Sequence, residues 1–91
     1  MRLLPEHVSG ARGLLQISTA DLAALAGVSE RTVQRFEAGT AQLKDSTMIQ
    51  LQAALESWGI EFQNSGRPGV RYHPDRDRRR LSRTEPVRPV G

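Results

Sequence analysis

Residues 19–39 read TADLAALAGVSERTVQRFEAG, and this stretch decides the fold. Leu22, Ala23, Leu25 and Ala26 give a first short segment an apolar side. Gly27 stands where the chain must turn, and Val28 is an apolar residue suited to the inside of the corner. Ser29 is a favoured N-cap for a second segment, which carries Thr32, Val33 and Phe36 at core-like spacing. A short helix, a glycine-containing turn and a second helix make a helix-turn-helix. The second helix turns Glu30, Arg31, Gln34 and Arg35 outward, long polar side chains that reach base edges and phosphates.

Upstream, Leu3, Leu4, Val8, Ala11, Leu14 and Leu15 recur at helical spacing and predict a helix over 6–15. Pro5 suits its first turn and Glu6 its positive end. Gly10 and Gly13 weaken it by roughly 1 kcal/mol each, so it depends on packing. Residues 1–6 read as an arm or a poorly ordered start. Ser18, followed three residues later by Asp21, resembles a capping box that opens the next helix, with Ile17 and Leu22 placed for a hydrophobic staple. The helix after it ends near Ala38, and Gly39 suits a positive φ.

Downstream, Thr40 to Ser46 reads as a loop, and Asp45, Ser46 or Thr47 as the cap of a fourth helix over 46–58. Met48, Leu51, Leu55 and Trp58 share one side of it, with Ile49, Ala53 and Ala54 beside them, and Gly59 stops it. In GIEFQNSGRPGVRYH, Ile60 and Phe62 alternate with polar residues, as do Val70 and Tyr72. The pattern predicts strands over 60–63 and 69–73. A lone hairpin is marginal in water, so it packs on the helices or pairs with the same element of another subunit. From Pro74 the chain is polar and holds three prolines, which predicts a disordered arginine-rich tail over 74–91. The expected organisation is a helical domain over 6–59, a strand pair over 60–73 and that tail.

The 91 residues allow one small domain, and a hydrophobic fraction of 37% places part of the chain outside its core. With no cysteine there is no disulfide framework and no thiolate metal site. No apolar run is long enough to span a membrane, and the start lacks the apolar region of a signal peptide. Charge is unevenly spread. Residues 1–66 hold five basic groups against seven acidic ones, a net of −2, and residues 67–91 hold eight arginines against three acids, a net of +5. A basic arm on a nearly neutral domain suits a polyanionic partner.

From Ala11 to Gly59 the chain resembles the Cro/C1-type helix-turn-helix family, also called the XRE family. AGVSERTVQRFEAG matches its pattern A-G-V-S-x-x-T-V-x-x-F-E-x-G. Residues 59–73 are similar to the IEF…GVR pattern that follows helix four in small prokaryotic members. The resemblance implies a mainly α fold: a compact four-helix domain of lambda-repressor-like type, then a short β-hairpin or dimerising strands. It implies a bacterial or phage transcriptional regulator, such as a repressor, in the cytoplasm at the nucleoid. Such a protein binds double-stranded DNA as a homodimer and reads the major groove with helix 29–38.

The family's base-reading positions fall on Glu30, Arg31, Gln34 and Arg35. Arg31 suits guanine, Gln34 suits adenine, and Glu30 either accepts from a cytosine amino group or orients Arg31. Arg35 suits a phosphate. Thr19, Ser29, Thr40 and Lys44 complete the expected DNA contacts, and Arg76, Arg78, Arg79 and Arg80 are expected on phosphates from the tail. The family's paired arginine and glutamate fall on Arg12 and Glu37, which act structurally. One departure concerns the start of the second helix, where members usually carry glutamine and this chain has Thr19. Its hydroxyl can donate to a phosphate, but threonine is expected to be too short to bridge to the third helix.

A second reading is a protein-interaction module, antitoxin-like, whose tail over 74–91 binds a protein partner. An enzyme is the third. His7 and His73 have no neighbouring ligand pattern, GRPG at 66–69 reads as a turn, and no phosphate-binding loop is present. No catalytic residue, metal or cofactor is expected.

Overall fold

Four helices and a hairpin follow one another along the chain: α1 (Pro5–Leu15), α2 (Thr19–Ala26), α3 (Glu30–Glu37), α4 (Asp45–Ser57), β1 (Trp58–Gln63) and β2 (Gly69–Asp77). The computed structural model describes residues 3–63 and 67–79. The helices bury one face each. Val8, Ala11 and Leu15 of α1 meet Leu22, Ala23 and Ala26 of α2, Val33 and Phe36 of α3, and Leu51, Ala54 and Leu55 of α4. Ile17, Leu25, Val28, Leu43, Met48 and Trp58 are partly buried around them. Among the described residues no helix is long and apolar enough to cross a membrane.

From Leu3 on, the chain differs from the arm or poorly ordered start expected over 1–6, of which residues 1–2 lie outside the described residues. Leu3 is buried in the core, and Leu4 is the N-cap of α1. The reason is His7, which is itself buried. Its Nδ1 accepts the Leu4 N–H at 2.9 Å, so Nε2 carries the proton and donates to the Gln63 carbonyl at 3.2 Å. The ring also meets Phe62 edge-on, 5.5 Å between centroids. One imidazole thus ties the first turn of α1 to β1.

Three apolar assignments are corrected. Leu14 is 47% exposed and Ile49 is 66% exposed, and Ala53 is exposed too. Each lies on the outward side of a helix whose inward stripe is already filled by residues three, four and seven apart. The cap of α4 also differs: it is Lys44, whose side chain makes no capping bond, while Asp45 sits in the first turn. There its charge faces the positive end of the helix.

The strands pair antiparallel, with Ile60 opposite Tyr72, Glu61 opposite Arg71, Phe62 opposite Val70 and Gln63 opposite Gly69. Beyond Ile60 the register jumps, and Trp58 stands opposite Asp77. Both strands are longer than the sequence suggests. Trp58 leaves the helix and opens β1, and β2 passes His73 to reach Asp77, so the expected start of the tail at Pro74 moves along the chain. Residues 80–91, where the rest of that tail falls, lie outside the described residues.

The extension is held by a buried carboxylate. Asp77 accepts the Tyr72 hydroxyl at 2.6 Å, the Arg79 backbone N–H at 2.9 Å and the Arg79 guanidinium at 2.7 Å. Arg79 in turn lies 4.3 Å above the Trp58 ring. Hydrogen bonding from the Arg79 guanidinium, with smaller help from Tyr72, outweighs burial and holds the Asp77 carboxyl down at about 2. Its folded value lies below its unfolded one, so the ionised carboxylate stabilises the fold above the unfolded value of 3.8. That stabilisation, on the order of 2 kcal/mol, is lost as pH falls from there toward the folded value. Denaturant melts across this acid range are expected to show the loss in the native chain, and Asp77→Asn is expected to be weaker at neutral pH with a shallower acid slope. Parallel curves for the two proteins would remove Asp77 from the acid response.

Candidate nucleic-acid interface

The angle between α2 and α3 is set by local bonds at both helix starts. Ser18 Oγ accepts the Asp21 N–H at 3.0 Å, and Asp21 returns the favour to the Ser18 N–H at 3.1 Å. Gly27 ends α2 with φ +74°, a conformation that glycine adopts without strain. Ser29 then caps α3, accepting the Thr32 N–H at 3.1 Å and sharing a hydrogen bond with the Thr32 hydroxyl at 2.8 Å. Val33 and Phe36 hold the inner side of α3 in the core.

Glu30, Arg31, Gln34 and Arg35 all lie exposed on the outer side of α3. Among the described residues, the side chains of Arg31 and Arg35 make no hydrogen bond or ion pair. Glu30 behaves differently. One carboxylate oxygen accepts from the Thr19 hydroxyl at 2.9 Å and from the Gln34 amide nitrogen at 3.1 Å. This corrects the expectation that threonine is too short to reach the third helix: Glu30 spans the gap from the other side. It also commits the single hydroxyl proton of Thr19 to Glu30, so in this arrangement the hydroxyl faces other groups only as an acceptor.

The remaining expected contacts have varied surroundings. Ser29 is occupied as a cap. Thr40 donates its hydroxyl proton to the Arg35 carbonyl at 3.2 Å, closing the end of α3. Lys44 is exposed just before α4. Of the basic residues near the end of β2, Arg79 is committed to Asp77 and Trp58, and Arg76 lies 3.9 Å from Glu61. Arg78 is exposed, and Arg80 lies outside the described residues.

Arg12 and Glu37 meet in a two-pronged pair, Nε to Oε2 at 2.7 Å and Nη2 to Oε1 at 2.8 Å. The third nitrogen of the fork donates to the Ile17 carbonyl at 3.1 Å. A single guanidinium therefore joins α1, the α1–α2 turn and the end of α3. Hydrogen bonding to Glu37 raises the Arg12 pKa above its ordinary value, against burial, so the charge is permanent.

His7 and His73 serve the hairpin. His73 bonds Glu61 across the strands at 2.6 Å, and that bond, more than the nearby arginines, lowers the Glu61 carboxyl. No group of three or more metal-ligating side chains occurs among the described residues.

The sequence carried no signal for the Thr19–Glu30 bond beyond a polar residue at the start of each of two consecutive helices. Only the distance between the helices shows that the Glu30 carboxylate serves both Thr19 and Gln34.

A family model for the helix-turn-helix matches residues 11–57, just over half of the chain. No curated protein matches it. The match spans both capped helices, the turn between them and the Arg12–Glu37 pair, and on that ground the chain belongs to the Cro/C1-type helix-turn-helix, or XRE, family of DNA-binding transcriptional regulators.

Proposed function

We propose that this regulator reads specific sequences in the major groove with α3 and does so as a homodimer. The observation that carries the reading is the pair of guanidiniums, Arg31 and Arg35, that have no partner among the described residues and lie on the outer side of a helix whose inner side is fixed in the core. Both charges are available to DNA without breaking a bond to another described residue. Arg31, in the first turn of α3, suits a two-pronged contact to guanine, and Gln34, one turn on, suits adenine. Arg35 suits a phosphate, and the exposed Lys44 and the arginines beyond Arg79 add sequence-independent attraction. Two copies would place their α3 helices in successive major grooves, about 34–36 Å apart. The hairpin and the flank of α4 near Trp58 are the proposed pairing elements. The setting is the cytoplasm at the nucleoid, with no cofactor and no catalytic step.

Selection of random duplex DNA on the full chain tests this. A palindromic motif with half-sites one helical turn apart is expected. Absence of any motif at a salt concentration where binding is measurable would turn attention to a protein partner of residues 74–91. Arg31→Ala is expected to weaken the selected duplex by about tenfold or more and to leave a scrambled duplex far less affected. The selected motif should lose one guanine position. Equal weakening on every duplex would make Arg31 a phosphate contact.

A further inference from the structure

We infer that Glu30 is a positioning residue: it fixes the amide of Gln34, and with it an adenine preference, and does not itself read a base. The inference rests on the proposed reading of DNA by α3 and names how one part of that site acquires its specificity.

The geometry is a three-member chain. Thr19 opens α2, Glu30 opens α3, and Gln34 lies one turn further along α3. A single oxygen of Glu30 accepts from both neighbours, at 2.9 Å from Thr19 and 3.1 Å from Gln34. Thr19 is a firm anchor. It is β-branched and stiff at χ1, it is half-buried, and it sits directly after the Ser18 cap. Gln34 alone would be a poor reader. It has a long, mobile side chain, and its amide can present oxygen and nitrogen in either order. The carboxylate removes that freedom, because flipping the amide would set its oxygen against the negative oxygen of Glu30. With one N–H given to Glu30, Gln34 retains one N–H donor and one carbonyl acceptor. Adenine offers the matching acceptor and donor on its major-groove edge, at N7 and N6.

The same bonds argue against Glu30 as a source of affinity. Its charge repels phosphates, and releasing it to approach a base would forfeit two internal hydrogen bonds. An acidic residue at the start of a recognition helix thus costs general affinity and contributes order to its neighbour.

The test is random-duplex selection on the wild-type chain, Glu30→Ala, Glu30→Gln and Thr19→Val, with melting curves for each. Glu30→Ala is expected to lose about tenfold of its discrimination at one adenine position while the guanine position is kept. Binding to a scrambled duplex should be equal or tighter. Glu30→Gln should restore the adenine preference, since its carbonyl oxygen can accept both bonds without the charge. Thr19→Val should weaken the same position a few-fold through loss of the anchor. In the free protein, the side-chain amide resonances of Gln34 should shift in Glu30→Ala and Thr19→Val, an independent readout that needs no DNA. An adenine preference that survives Glu30→Ala overturns the inference, and so does loss of a cytosine position in its place. A wild-type pool with a motif that ignores all three substitutions defeats this inference alone. A wild-type pool with no motif defeats the reading of specific recognition and this inference with it.

Discussion

Glu37→Ala is expected to lower the melting temperature of the protein by about 10 °C or more, without removing any side chain from the face proposed to meet DNA. The substitution strands Arg12. The Arg12 side chain is 25% exposed and that of Glu37 only 12%, so the fork sits at the edge of the core rather than in water. Removing one member of a fully buried pair costs about 3–5 kcal/mol, and partial access to water brings the expected cost here to roughly 2 kcal/mol. A domain of this size loses about 4–8 °C for each kcal/mol. Arg12→Ala should cost at least as much as Glu37→Ala, because the carboxylate it strands is the less exposed of the two side chains and the bond to the Ile17 carbonyl is lost as well. The double variant should be more stable than the sum of the single losses predicts, since neither charge is then left alone. Additive losses, or an unchanged melting temperature in Glu37→Ala, would show that the fork contributes nothing to folding. The pair matters to function through position. It is the polar tie between α1 and the far end of α3, so its loss should also loosen the helix that carries Arg31 and Gln34.

The helical part of this fold was legible because its rules are local. Ser18 with Asp21, Gly27 and Ser29 each act within three residues of themselves, and each stands where a helix begins or ends. Leu22, Val33, Leu51 and Leu55 follow a helical period, and all four are buried. The same period misled where a stripe had two flanks to choose from. Leu14 and Ile49 lie next to the inward stripes of α1 and α4, and nothing in their own segments tells which flank another element will cover. The hairpin was read too short for a different reason. Pro74, Asp75 and Arg76 have the composition of a loop, and the strand is carried past them by Asp77, whose partners Tyr72 and Arg79 are apparent only once the chain has folded back. His7 shows the longest reach. Its partner is the carbonyl of Gln63, a backbone atom 56 residues away, which no side-chain pattern announces. On the candidate interface, the outward residues of α3 were legible from period alone. The link from Thr19 through Glu30 to Gln34 was not, because it depends on the distance between two helices.

Gly59→Ala is expected to separate the hairpin from the helical body while leaving the helix-turn-helix folded. Gly59 sits at φ +94°, where a side chain is strained whatever space it has. Space is lacking as well. A Cβ there would stand 2.5 Å from the His73 carbonyl oxygen, 3.2 Å from the Tyr72 ring and 3.3 Å from the Asp77 nitrogen. Two of the three neighbours are backbone atoms and cannot swing aside, so β2 must move. The site is the register jump between Ile60–Tyr72 and Trp58–Asp77, which means the displacement would strike the Asp77 cluster directly. Strain and clash together are expected to cost about 3 kcal/mol. Hydrogen exchange should report the location: amides of β1 and β2 lose protection, and those of α2 and α3 keep it. The consequence for DNA follows from the proposed pairing of two copies through the hairpin. Affinity for a duplex carrying both half-sites should fall about a hundredfold, because the second contact is no longer tethered to the first. Affinity for a single half-site should be unchanged. Full affinity for the double site alongside an unprotected hairpin would place the dimer contact elsewhere, and the exposed side of α4 around Ile49 would be the next surface to substitute. Equal loss on both duplexes would show instead that α3 depends on the hairpin for its own position, through the packing of β1 on α4 and of β2 on α1.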